Sequence, residues 1–590
     1  MTDKDLLVQT EYGPVQGFVD THPVSQHSSA SISATGDQLP VKKWLGIPYA
    51  QAERFTRPIA PSPWQTPKEC FEFGTMFPQP AGMTEQLLSK LPGFVIRNQI
   101  KQSEDSHFVN VFVPGDLKPD EKLPVMVFIY GGALNTGSSD RFFYDPTNLI
   151  RRAQASKDST QRCIIVTGNY RVNIFGFLAS EELSKSDREG LSGNYGLYDS
   201  MNMFEWVQNN IENFGGDSDQ VTAFGQSAGA FLISYLLVSG KKLFNRAILQ
   251  SGAQKTMGMR PPSKSYPALP SILSSLSSSS SSESTPSDPV SLLRSASLET
   301  LLSLHTSHHS LESVSLTIEP TSSSSSSSTS IWNHSNVKRL EKGEIDPWIE
   351  SLILGTTQDE GTVFSYGAKL SKPENFNKWI SRYSPQTREQ VKKKYLGEGG
   401  KEHPEEGECK ELKELPGSRL LADQIFVNPV WDLAKAVTST TSTNPSSSGE
   451  DGKMSKKKRI WMYRLRTGVE MILKNSPFGI MHSMDLPLIF NCDSLWNKDE
   501  SCPDGKTSKA LGERWLRFGV TGQPDENWKP FNTKKEEEGE PSWLVFEKNG
   551  ETFNESLENF EKEKIELVFE QTGESGQEGE EEEEGDEVLG

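Results

Sequence analysis

Cysteine is scarce, with five in 590 residues. Cys70, Cys163, Cys409, Cys492 and Cys502 are an odd number without metal-ligand spacing, which argues against a disulfide framework or a metal cluster and fits reduced thiols. Long apolar runs are missing too. No stretch approaches the roughly eighteen apolar residues that a membrane-crossing helix needs, so no integral membrane segment is expected. Met1-Thr-Asp-Lys-Asp-Leu-Leu-Val8 has no basic region followed by an apolar core, so no secretory signal is expected either, and the expected setting is cytoplasmic. Basic residues are outnumbered, 61 against 80, for a net charge of −19. Nine of those acids, and no base, fall in the last eighteen residues, Gly573 to Gly590. About half the imbalance is therefore a tail, expected to be solvated and disordered over 570–590. What remains is mildly acidic and gives no footprint for nucleic acid.

The rest of the chain alternates. Short β-prone runs at Val8 to Tyr12 and Val15 to Val19 lie between turns and predict an antiparallel edge over Leu6 to Ser62. Val125 to Tyr130, Cys163 to Thr167, Val221 to Phe224 and Arg246 to Gln250 read as buried strands, with Leu352 to Leu354 and Ile460 to Arg464 as further members. Helical segments such as Ser200 to Ile211 separate them. This alternation predicts an α/β fold, a mostly parallel central sheet with helices on both faces. Met83 to Ile100 carries Leu87, Leu88, Leu91, Phe94, Val95 and Ile100 around a Pro92-Gly93 break, and reads as a helix on the core or an apolar flap. Ser-rich segments near 271–287 and 321–330, with a Ser/Thr-rich one near 438–458, lack the apolar area to offset ordering entropy. They are expected to be disordered insertions in one domain spanning 1–569, because sheet elements resume after each.

Chemistry gathers around Gly225-Gln-Ser-Ala-Gly229, set between a β-prone run and an apolar helix-forming run. A serine on so sharp a strand-to-helix turn needs small residues two positions either side, and the turn exposes its hydroxyl at a helix N-terminus. A serine hydroxyl is a weak nucleophile near neutral pH and requires a base, a carboxylate to orient the base, and donors for the oxyanion. Histidine is also scarce, with nine candidates. His22, His27, His305, His308, His309, His334 and His403 lie in polar or low-complexity surroundings and His107 in a probable strand, while His482 sits in a loop after the Ile460 run. Position favours His482 as the base. In a sheet of this type the acid falls between serine and histidine in chain order. Glu360, just after the Leu352 strand and followed by Gly361, fits that place, with Asp359 its rival. The Gly-rich turn Tyr130-Gly-Gly-Ala-Leu-Asn-Thr-Gly137 follows a buried strand and could present N–H groups to an oxyanion.

With Leu45-Gly-Ile-Pro-Tyr-Ala50, Ser103 to Pro114, Asn169 to Phe177, Gly193 to Asp199, Phe214-Gly-Gly-Asp217 and Ile248-Leu-Gln-Ser-Gly252 in the same order, the chain resembles the type-B carboxylesterase and lipase family, the cholinesterase-like branch of the α/β hydrolases. The resemblance spans most of the chain. It implies an α/β-hydrolase fold and an esterase acting on small-molecule carboxylic esters through an acyl-enzyme, with no metal or organic cofactor. It makes Ser227 the nucleophile, Glu360 the acid and His482 the base, and gives the oxyanion hole to the N–H groups of Gly132, Ala133 and Ala228.

Three departures from the family pattern stand out. Ala133 replaces the third glycine of the oxyanion loop, which is costly if that position needs φ > 0. Phe77 and Ser106 occupy the places of the family's first disulfide. Gln226 replaces the glutamate that often precedes the nucleophile. A non-catalytic, cholinesterase-like interaction module is the alternative, and labelling by an organophosphonate distinguishes the two.

Overall fold

The apolar runs become the middle of an eleven-stranded sheet. A computed structural model describes residues 6–22, 39–80, 82, 101–156, 158–279, 288–308, 314–320, 330–397, 411–440, 458–496, 498–532 and 540–567. In chain order the strands are β1 (Phe18–Asp20), β2 (Val41–Pro48), β3 (Phe108–Pro114), β4 (Leu123–Ile129), β5 (Ile164–Gly168), β6 (Gly216–Gln226), β7 (Arg246–Gln250), β8 (Ser351–Thr357), β9 (Arg459–Leu465), β10 (Ser542–Phe546) and β11 (Thr552–Ser556). In space they run β11-β10-β9-β8-β7-β6-β4-β5-β3-β2-β1. From β10 to β5 every neighbouring pair is parallel. The pairs at the two edges, β11 with β10 and β5-β3-β2-β1, are antiparallel. The antiparallel N-terminal edge is as expected, with a small extra sheet in which Leu7–Gln9 pairs with Pro14–Gln16.

β4, β5, β7 and β8 are buried along their whole length. That is why they read as unbroken apolar runs rather than alternating ones: both faces of the sheet are covered. The flanking helices that bear on function are α1 (Tyr195–Asn210), α2 (Ala228–Leu236), α3 (Leu269–Ser279), α4 (Thr362–Gly367), α5 (Asn428–Thr440) and α6 (Pro503–Thr521). Side chains alternate along β6. A Cβ added at Gly225 would meet Ile233 of α2 at 2.8 Å, whereas Thr222 donates to the Gly519 carbonyl of α6 at 3.0 Å. One helix therefore covers each side of the strand that carries the nucleophile candidate. One apolar core extends from Leu6 to Leu557, with a smaller cluster around Phe376, Tyr383 and Tyr395. Among the described residues no helix is long and apolar enough to cross a membrane.

The Ser-rich segment near 271–287 differs from expectation. Its first nine residues belong to α3, where Ile272 and Leu276 are buried in the core. With Leu269, these apolar residues recur at helical spacing, and their burial offsets the ordering cost that serine-rich composition implies. Residues 280–287 lie outside the described residues. Of the segment near 438–458, Thr438 to Thr440 close α5 with Thr438 buried. Lys458 lies one residue before β9, donating to the Pro347 and Asp346 carbonyls at 2.8 and 3.1 Å. Residues 441–457, 321–329, 83–100 and the acidic tail from 568 onward are outside the described residues.

The two positions of the missing disulfide are filled by other contacts. Phe77 is buried and packs edge-on against His107, ring centroids 4.9 Å apart. Ser106 Oγ lies 2.7 Å from Thr75 Oγ1 and donates to the Ser103 carbonyl at 2.7 Å. His107 itself is buried one residue before β3, with Nε2 3.1 Å from Asp199 Oδ1 on α1. Asp199 also accepts two hydrogen bonds from the Arg171 guanidinium, at 2.7 and 2.8 Å. Burial alone would raise the Asp199 carboxyl, but Arg171 and His107 hold it far below the usual carboxylate range.

Candidate active site

Ser227 stands between β6 and α2 with φ 57° and ψ −124°, a strained conformation for a side-chain-bearing residue. The close approach expected on each side is present. A Cβ at Gly229 would lie 2.0 Å from the Ile129 carbonyl oxygen, and one at Gly225 would lie 2.8 Å from the Gly229 backbone. The Ser227 N–H donates to the Gln250 carbonyl at 2.7 Å, tying the turn to the end of β7. Ser227 is buried but not sealed, at 7% exposed.

The histidine and the acid are brought together. His482 Nδ1 lies 2.5 Å from Glu360 Oε2. The other carboxylate oxygen of Glu360 accepts from Ser251 Oγ at 2.5 Å and from the Thr357 N–H at 2.6 Å. Glu360 is fully buried. Burial pushes its carboxyl up, and the contacts with His482, Ser251 and Thr357 outweigh that and hold it below its ordinary value. Asp359 points elsewhere: its carboxylate accepts the Ile480 N–H at 2.7 Å, and its own N–H donates to the Ile480 carbonyl at 2.9 Å. Thr362 adds a bond to the Phe478 carbonyl at 2.9 Å. The turn after β8 therefore does two jobs with adjacent acids, Glu360 holding the imidazole and Asp359 holding the loop that carries it.

The His482 ring packs against Phe364 of α4, centroids 5.1 Å apart in a T-shaped contact, and against Phe426, 4.4 Å apart and tilted. Phe426 lies in a π-helical turn, Ala422–Val427, just before α5. Three residues after His482, buried Asp485 accepts from Gln250 Nε2 at 2.8 Å and from the Tyr463 hydroxyl at 3.0 Å. Burial raises its carboxyl. Sequence reasoning missed Ser251, Phe364, Phe426 and Asp485 as neighbours of the site. Ser251 was within reach, since it directly follows β7, next to the elbow strand. Phe426 belongs to no motif, and a π turn shifts side-chain direction in a way that helical periodicity does not reveal.

The contact expected between Ser227 and His482 is not made. His482 Nε2 lies 3.1 Å from the Gln226 side-chain nitrogen, and among the described residues the Ser227 hydroxyl has no hydrogen bond to the ring.

The Gly-rich loop after β4 packs on the elbow, where a Cβ at Gly131 would lie 2.8 Å from the Ser227 Cβ. It is braced from below by Tyr130 and Tyr170, stacked with centroids 4.4 Å apart, each hydroxyl donating to the other's carbonyl at 2.8 and 2.9 Å. The Asn173 N–H donates to the Leu134 carbonyl at 2.6 Å. Ala133 has φ 55°, so the position does need the left-handed region and the methyl carries a strain that glycine would not. Among the described residues no protein acceptor takes the N–H groups of Gly132, Ala133 or Ala228. Three backbone donors beside a strained serine, one of them opening a helix, are suited to stabilising negative charge on a reacting oxygen. Among the described residues no group of acids, histidines or cysteines is arranged to hold a metal ion.

Comparison with known proteins finds relatives that span most of the chain. Para-nitrobenzyl esterase of Bacillus subtilis (strain 168) is 28% identical over 550 residues, covering 90% of this chain and 94% of that protein. Acetylcholinesterase of Danio rerio is 37% identical over 261 residues, 43% of this chain and 36% of that longer protein. A solved thermophilic PNB esterase superposes with a TM-score of 0.67 at 25% identity, over 94% of this chain and 99% of that one. The family model described as "Carboxylesterase family" matches residues 4–565. With a match of that extent, and a sheet, elbow and acid–histidine pair of this kind, the chain belongs to the carboxylesterase family.

Proposed function

We propose that this carboxylesterase cleaves small carboxylic esters by a Ser227–His482–Glu360 relay. Ser227 attacks the acyl carbon while His482 takes its proton and returns it to the leaving alcohol. Glu360 keeps the proton of the neutral ring on Nδ1 and stabilises the imidazolium that forms. Gly132, Ala133 and Ala228 receive the oxyanion through their N–H groups. Water then repeats the sequence on the acyl-enzyme. The observation that carries the reading is the 2.5 Å contact of His482 with a buried Glu360, on the loop facing a strained serine elbow. The Phe364 and Phe426 rings beside the imidazole favour acyl groups with apolar surface.

We also read the chain as one hydrolase domain over 1–569, and its compartment as reducing. The second reading is supported by four thiols, Cys70, Cys163, Cys492 and Cys502, that are free.

The decisive variant is Ser227→Ala. It is expected to fold, to lose organophosphonate labelling, and to lose turnover on the order of a million-fold, as other triads do. A tenth of the wild-type rate in the pure variant, or label on another residue, overturns the assignment. Rates on p-nitrophenyl esters from acetate to palmitate then give the acyl preference.

A further inference from the structure

Gln226 ends β6 on the face it shares with Thr222 and Phe224, the side covered by α6. From there its amide nitrogen reaches His482 Nε2 at 3.1 Å. Because Glu360 sits on Nδ1, a neutral ring carries its proton there and offers Nε2 only as an acceptor, so the amide is the donor. An sp² ring nitrogen has one in-plane lone pair. That lone pair is the one that must receive the Ser227 proton, and in this structure Gln226 has it.

We propose that Gln226 is a positioning residue that occupies the base of the resting enzyme and competes with Ser227 for it, so that the strength of this one amide contact sets how readily the nucleophile is activated. The proposal rests on the triad reading above. A glutamine can serve at both stages of a turnover. Its N–H donates to the neutral ring, and after its amide turns over, its oxygen accepts from the Nε2–H of the imidazolium. A glutamate at the same place could only accept, and would favour the imidazolium throughout.

Among the described residues, the charged groups around the ring are Glu360 on Nδ1 and Asp485 from the Asp485–Ile489 helix that follows it, with Asp359 and Arg464 one layer out beside Glu360. None of them lies on Nε2, which leaves the neutral Gln226 as the group whose identity that atom senses.

Gln226→Met and Gln226→Glu in the full chain, with Ser227→Ala as control, provide the test. The readouts are the second-order rate of fluorophosphonate labelling, and kcat and KM for p-nitrophenyl butyrate across the acid limb of the pH profile. Methionine keeps the length of the side chain and removes the donor. Release of one competing hydrogen bond is expected to speed labelling about three- to tenfold at neutral pH, with KM little changed. Glutamate is expected to move the acid limb of kcat/KM to higher pH, because a carboxylate on Nε2 favours the imidazolium.

Labelling that is unchanged or slower in Gln226→Met overturns the proposal. Should that variant fail to fold, the isosteric Gln226→Glu decides alone: an acid limb superposing on wild type overturns it. Ser227→Ala that still takes label means that the triad reading has failed, not this one.

Discussion

Two neighbouring acids divide the work at the turn after β8. Glu360 and Asp359 are both buried, but only Glu360 touches the imidazole. Sequence left them as rivals because both follow the strand and precede a glycine, and a shift of one residue reverses which carboxylate faces inward. Glu360→Gln is expected to lower kcat on the order of a thousandfold or more, because an amide cannot stabilise the imidazolium and presents the wrong donor to Nδ1. Asp359→Asn keeps an oxygen that accepts the Ile480 N–H, and a loss of less than about tenfold is expected. Steady-state rates of the two pure variants settle the ranking, and a larger loss in Asp359→Asn would refute the triad. Ala133 breaks a local conformational rule beside the proposed oxyanion site. The concern that its methyl would be strained is correct in φ, and the strain is held by the packing of Tyr130, Tyr170 and Asn173 beneath the loop.

At the scale of elements, α3 is the instructive case. Composition spoke for disorder, yet Leu269, Ile272, Leu273 and Leu276 lie at helical spacing, and three of these four side chains are buried. Ile272→Ala should cost about 2–5 kcal/mol of local stability. In hydrogen exchange that appears as amides of α3 opening at least about tenfold faster, with β6 unaffected. Wild-type amides from Ile272 to Leu276 exchanging at the rate of a free peptide would show instead that the composition was the better guide. The central strands and the serine elbow were legible because their signals are local: apolar runs between turns, and glycines where backbones touch. Chain order and resemblance singled out Glu360 and His482, and the structure brings these two side chains into contact. The supporting contacts were not legible. Ser251, Phe426 and Asp485 meet the site from β7, a π turn and a short helix, and only the packing of the whole sheet brings them together.

The molecule as a whole dispenses with cross-links at the residues described. Cys70, Cys163 and Cys492 are buried, and burial pushes the first two thiols up to about 12 and the third well above its usual range. As protonated thiols they are poor nucleophiles at neutral pH. A disulfide-exchange reagent is expected to leave at least these three untouched in the native enzyme and to count five thiols in denaturant, with or without prior reduction. A reproducible gain of two after reduction would reveal a bridge and reopen the question of compartment. The order of strands also bears on how the protein is made. The chain up to Gln250 supplies β1 to β7 and the proposed nucleophile Ser227, whereas β8, which leads to the proposed acid Glu360, begins at Ser351, and His482 follows β9. A chain emerging from the ribosome thus holds a half-sheet with β7 as a bare edge for about a hundred residues of synthesis, a few seconds to tens of seconds at ordinary elongation rates. On the proposed triad, Ser227 has neither His482 nor Glu360 during that interval, so the newborn chain would be catalytically silent just when its open sheet edge is most adhesive.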